Sequence, residues 1–168
     1  MNSIAKQHGF SMLEVLIAIL VTAFGLLGLA GMQLNGLKQA SNSSARSIAT
    51  ILAYDIADRM RANPDPASGG AYSTYNGQQG TYRSACFATT GCNRDQMAQT
   101  DVAAWAEQLA SLLPSGRGAI CVDSTPNDGT PAAPACDNAP NAPYAIKIWW
   151  DERDPSGQPA RFVTVFRM

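Results

Sequence analysis

The chain has 168 residues, enough for one domain of ordinary size. Its net charge is −1, and no basic excess marks any stretch, so the electrostatic footprint of a nucleic-acid binder is missing. Only 15% of the residues are charged, and one segment near the N-terminus accounts for much of that scarcity.

Residues 1–9 are short and polar. Beyond Glu14, residues 15–37 hold no ionisable side chain, and 15–32 are apolar apart from Thr22 and the glycines Gly25, Gly28 and Gly31. At 1.5 Å per residue, a helix over 15–37 is about 35 Å long, enough to cross a bilayer core. A secretory signal would be shorter and would end in an A-x-A cleavage site; the segment Ala30-Gly31-Met32-Gln33 lacks that pattern. The apolar run is therefore expected to stay attached as a single membrane span over about 11–34. Lys6 and His8 precede it with no acid among them, which favours a cytoplasmic N-terminus.

The helical pattern continues past the span. Leu37, Ser41, Ala45, Ile48, Leu52, Ile56 and Met60 recur at steps of three or four, which marks one face of an amphipathic helix. Pro64 stops it, and Asn63 before the proline is biased away from helical angles. Residues 10–62 would thus form one helix about 80 Å long, with a membrane half and an amphipathic half.

Residues 63–168 are expected to fold as a globular domain. Residues 64–94 are rich in Gly, Ser, Thr, Tyr, Asn and Pro and read as loop. A second helix is predicted near 95–113, with Met97, Val102, Trp105, Leu109, Leu112 and Leu113 on one side and Pro114-Ser115-Gly116 ending it. Strands are predicted at 119–123, 144–150 and 161–167. In the second, Tyr144, Ile146, Ile148 and Trp150 share a face; in the third, Phe162, Thr164 and Phe166 oppose Val163 and Val165. Residues 124–143 are a loop rich in Pro, Asn and Asp. The expected fold class is α+β, with the amphipathic half of the long helix covering the apolar face of a small antiparallel sheet.

At the edge of the apolar run the sequence reads Gly9-Phe10-Ser11-Met12-Leu13-Glu14-Val15. A glycine, an aromatic directly after it and a lone glutamate four residues further on resemble the precursors of the type IV pilin-like family. That family includes pilins, minor pilins and the pseudopilins of type II secretion. Asp101, Trp105 and Leu109, followed by Leu113-Pro114-Ser115-Gly116-Arg117-Gly118-Ala119-Ile120, further resemble the minor pilin PilV subfamily.

The resemblance implies cleavage between Gly9 and Phe10 by a prepilin peptidase, which removes residues 1–9 as a leader. It implies N-methylation of Phe10 and a role for Glu14 in assembly. The implied place is the inner membrane with the C-terminal domain in the periplasm, then the pilus. The implied partners are other minor pilins, the major pilin and the inner-membrane assembly platform, with a tip adhesin as a further candidate. Two alternatives stay open: a type II secretion pseudopilin, and a single-pass anchored periplasmic binding domain that needs no processing at Gly9.

Physical chemistry supports a special place for Glu14. A carboxylate at the centre of a bilayer costs about 2.5–3.5 kcal/mol, less near the interface, and it needs water or a partner. The new amine of a neighbouring Phe10 would be such a partner. The four cysteines, Cys86, Cys92, Cys121 and Cys136, all follow the span and fit two disulfides in an oxidising compartment. Three connectivities are possible; proximity favours Cys86–Cys92 and Cys121–Cys136. No zinc spacing appears, and no cofactor motif. The sole histidine, His8, lies in the predicted leader, so no enzyme is expected. Asp151, Glu152 and Asp154 read as solvated turn acids rather than a calcium loop, and Trp105, Trp149 and Trp150 as core and sheet residues.

Overall fold

A computed structural model describes residues 11–64, 70–73, 80–152 and 157–167. The order is a long helix α1 (Met12–Ala62), a 3-10 turn (Ser84–Phe87), helix α2 (Arg94–Leu112) and strands β1 (Arg117–Val122), β2 (Tyr144–Trp150) and β3 (Ala160–Phe166). Contacts divide the chain into two units, Met1–Ser41 and Asn42–Met168, so the C-terminal part of α1 belongs with the globular unit. The architecture is the expected α+β one, a long N-terminal helix packed on a three-stranded antiparallel sheet.

The sheet runs in order β1-β2-β3. Ile120 stands opposite Ile146 across the first pair, and Tyr144, Ile146, Ile148 and Trp150 stand opposite Phe166, Thr164, Phe162 and Ala160 across the second. This register puts the even-numbered apolar positions of β2 and β3 on one face, as alternation demands. That face joins Leu52, Ile56, Met60, Val102, Trp105 and Leu109 in one core.

The helical stripe differs from its predicted outline. Leu37 and Ser41 are exposed, and burial begins at Ala45 and Ile48. From there Ala49, Ala53 and Ala57 are buried beside the larger Leu52, Ile56 and Met60. Short alanine side chains let α1 settle close to its neighbours. In α2 the buried apolar set is Ala98, Val102, Trp105 and Leu109, with Leu113 just past the helix end; Leu112, predicted to face inward, is 52% exposed in the last turn. Asn93 starts α2 with a capping box: its side chain accepts from the Gln96 N–H at 2.8 Å, and the Gln96 side chain accepts from the Asn93 N–H at 3.1 Å.

The Gly116-Arg117-Gly118 stretch has a packing reason. A methyl group at Gly118 would collide with Trp105 Cη2 and would stand 2.6 Å from Leu109 Cδ1; one at Gly116 would stand 2.8 Å from Leu113 Cβ. The start of β1 lies against α2 only because these positions lack a side chain. Gly118→Ala should therefore lower stability by about 1–3 kcal/mol through overpacking. Gly25→Ala, at a site with nothing within 4 Å of the added carbon, should leave the melting of the globular unit unchanged. Thermal unfolding of the detergent-solubilised chain, followed by near-UV circular dichroism, reads both.

Candidate functional site

Among the described residues, the first unit presents an apolar helix whose side chains are exposed along its length. Among the described residues α1 is the one helix long and apolar enough to cross a membrane, with a mean hydropathy of 2.5 over its most apolar 18-residue window. Its large apolar side chains from Met12 to Leu37 are 49–88% exposed. Each would gain about 1.5–3 kcal/mol on leaving water, so this surface calls for lipid or for other helices.

Glu14 sits in the first turn of α1 and is exposed. Its backbone N–H donates to Ser11 Oγ at 3.2 Å and to the Ser11 carbonyl at 3.1 Å, so Ser11 caps the helix. A carboxylate there also meets the positive end of the helix dipole. Gly9 and Phe10 lie outside the described residues. Gly25, Gly28, Gly31 and Gly36 have open space around them, so a closely approaching partner helix would meet backbone rather than side chains at these points.

In the globular unit, polar contacts fasten α2 to α1 and its C-terminal end. The indole N–H of buried Trp105 donates to the Leu52 carbonyl at 3.0 Å. Asp101, buried, accepts from Arg59 Nη1 at 3.0 Å and from the Tyr72 hydroxyl at 2.9 Å, while Arg59 Nε donates to Asp55 Oδ2 at 3.0 Å. Asn63 Nδ2 adds a bond to the Arg94 carbonyl at 2.9 Å. Burial opposes the charge on Arg59, but the hydrogen bond to Asp101 and the charges of Asp55 and Asp101 outweigh it and raise its pKa. Burial raises the Tyr72 hydroxyl, and the adjoining Asp101 adds to the effect. Asp101 and Trp105, two residues that carried the subfamily resemblance, are thus the two bolts of this contact.

The disulfides join Cys86 to Cys92 and Cys121 to Cys136, the pairs nearest in sequence. The second closes the loop over 121–136, which is worth about 3 kcal/mol in the chain-entropy picture. Cys121, Asp123 and Cys136 lie together, but the sulfurs are bonded to each other and the carboxylate faces Lys147. Trp105, Trp149 and Trp150 are all buried. Of the turn acids, Asp151 and Glu152 are at least partly exposed, and Asp154 lies outside the described residues.

The second sheet face holds what sequence reasoning missed. Ala145, Lys147 and Trp149 point away from the main core and are nonetheless buried. Lys147 is fully buried and forms ion pairs with Asp123 and Asp128. It also donates to the Asp128 carbonyl at 3.3 Å and the Pro134 carbonyl at 2.7 Å. Arg161 on β3 donates to the carbonyls of Asn127 and Gly129. A lysine flanked by Ala145 and Trp149 in an otherwise apolar strand was the available signal.

A long helix with a bare apolar N-terminal half, leading into a small antiparallel sheet, defines a pilin-like subunit. The family model for type IV pilin Tt1218 matches residues 31–103, and the prokaryotic N-terminal methylation motif matches residues 4–30. The two matches adjoin and run from the predicted leader into α2. The chain is a type IV pilin-like protein, and that family is structural rather than enzymatic. No curated protein and no solved structure matches it.

Two outcomes follow from the polar contacts. Asp101→Asn keeps the shape but strips the charge that Arg59 faces, and should cost about 1–3 kcal/mol in chemical denaturation. The hydrogen bond from Lys147 and then that from Thr125 hold the Asp128 carboxyl below its usual value. A depressed carboxyl contributes stability above the unfolded value of about 4 and loses it as pH falls through the folded value. Carbonyl-carbon NMR titration should find Asp128 below the ordinary carboxylate range, and back within it in Lys147→Met.

Proposed function

We propose that this chain is a minor pilin, most like the PilV subfamily, that takes part in type IV pilus assembly. The observation that carries the reading is an uncharged apolar helix, bare along its first unit, headed by the Gly9-Phe10 junction and Glu14. A prepilin peptidase cuts between Gly9 and Phe10, and the new amine of Phe10 is methylated. Before assembly the protein spans the inner membrane once, N-terminus in the cytoplasm and C-terminal domain in the periplasm. The two disulfides of the globular unit favour that oxidising side. Its role is structural: the histidine chemistry that a triad or a common metal site needs is confined to His8 in the leader.

The mechanism is a change of solvent. The helix leaves lipid for a bundle of similar helices contributed by the major pilin and other minor pilins, brought together at the assembly platform. Glu14 cannot make that exchange alone, because burying an unpaired carboxylate costs several kcal/mol. The cationic amine of a neighbour's Phe10 offsets that cost. The glycines Gly25, Gly28, Gly31 and Gly36 leave backbone accessible for close helix contact.

The deciding measurement is the mass of the protein recovered from sheared filaments. The expected species lacks residues 1–9 and carries one added methyl group on Phe10. An intact leader would overturn the reading, and so would loss of type II secretion with unchanged piliation after deletion. Glu14→Ala should reduce recovery in filaments by about tenfold or more, since losing even about 1.4 kcal/mol of contact commands that factor. Quantitative immunoblotting of sheared pili against membranes measures it; normal incorporation of the variant would sink the proposed role of Glu14.

A further inference from the structure

We propose that the loop over 123–137 builds an oxygen-lined cation site, and that the ammonium of Lys147 is its resident ion. The inference concerns the globular unit and does not depend on the pilus reading.

Four oxygens converge on Lys147 Nζ: Asp123 Oδ2, Asp128 Oδ1 at 3.0 Å, the Asp128 carbonyl at 3.3 Å and the Pro134 carbonyl at 2.7 Å. They come from three separate points along the chain, so one cation gathers the start, middle and end of the loop. Both Lys147 and Asp123 are fully buried. The second oxygen of Asp123 is held by the Thr125 N–H at 2.9 Å, and the second oxygen of Asp128 by the Thr125 hydroxyl at 2.8 Å, which aims the remaining oxygens inward.

Apolar burial cannot do this work. Within 124–143 Cys136 alone is buried. The disulfide fixes one end, and a Thr130–Ala133 pair of backbone bonds shapes the tip. What holds the middle is charge and hydrogen bonding centred on one ammonium, with Arg161 adding bonds from β3. Without these oxygens the buried ammonium would be left unpaired and strongly unfavourable.

The ligand set has a chemical consequence. Two carboxylates and two carbonyls are hard oxygen donors of the kind that calcium takes, with water completing the shell. A lysine reaching in from β2 supplies the positive charge covalently, so the loop needs no metal. Truncating the lysine would leave two facing carboxylates, two carbonyls and the space the side chain vacates. That is a divalent-cation site.

The test uses the full chain in detergent, with unfolding followed in EDTA and in 10 mM calcium chloride. Lys147→Ala should melt lower than wild type in EDTA and regain stability in calcium. For a site of about 1 mM affinity the folded-to-unfolded ratio should rise about tenfold. Wild type should not respond, and Lys147→Ala combined with Asp123→Asn should lose most of the gain. If Lys147→Ala does not fold in EDTA, refolding in calcium gives the same reading. A variant that gains nothing from calcium, a wild type that gains as much, or a gain that survives Asp123→Asn would each overturn the proposal.

Discussion

The bare apolar surface of α1 is the constraint on which everything else in this protein depends. Fifteen large apolar side chains from Met12 to Leu37 are exposed among the described residues. No rearrangement of the helix can hide them, because the run is apolar on every side. Lipid, or helices of like character, would meet that demand. Crossing a bilayer and packing against like helices therefore ask for the same surface. The same reasoning explains why Glu14 stands at the head of the helix. An acid in the middle of the run would oppose either environment, whereas an acid in the first turn meets the positive end of the helix dipole.

The globular unit solves a different problem. It must hold the C-terminal part of α1 firmly with a core built on only three strands and one further helix. Alanine at 49, 53 and 57 gives close approach rather than bulk, so packing alone is modest and directional contacts carry much of the register. Trp105 supplies area and one hydrogen bond to α1; Asp101 supplies a charge that Arg59 and Tyr72 share. Gly116 and Gly118 then let β1 lie directly against the face of α2 that carries Trp105 and Leu109. The run from Asp101 to Ile120 is a single mechanical piece, which explains why its residues recognise one another across an otherwise ordinary stretch of helix and turn.

Periodicity revealed the elements well because most of them bury one face. β2 was found to the residue, and α2, β1 and β3 within one or two positions. The errors arose where polar or small residues do apolar work. Ala49, Ala53 and Ala57 lie off the stripe of large residues, yet they are core. Leu37 fits the stripe but belongs to the exposed first unit. Lys147 is the instructive case. An alternating strand with lysine on its second face reads as half-solvated, and only the three-dimensional arrangement shows a loop covering that face. The covering loop has no hydrophobic pattern to betray it, since its cohesion comes from carbonyls, two aspartates and one disulfide. The N-terminal methylation motif, matched over residues 4–30, was legible because it lies in one short continuous stretch.

The two-faced burial of β2 also bears on how the domain meets its surroundings. A three-stranded sheet with one solvated face would expose Trp149 beside the β1 and β3 edges, a large aromatic surface on a subunit destined for crowded contact with others. Covering it with a conventional apolar loop would have added a competing core to a small fold. A loop closed by Cys121–Cys136 and centred on Lys147 avoids that competition, because its interactions are satisfied locally and by charge. It closes over Lys147 while presenting asparagine, alanine and threonine outward. The arrangement also separates the two tasks of the chain by chemistry: apolar burial is reserved for α1 and its partners, and the periphery is held by ions, carbonyls and sulfur. A change at the loop can thus alter the outer surface without loosening the grip of the domain on α1.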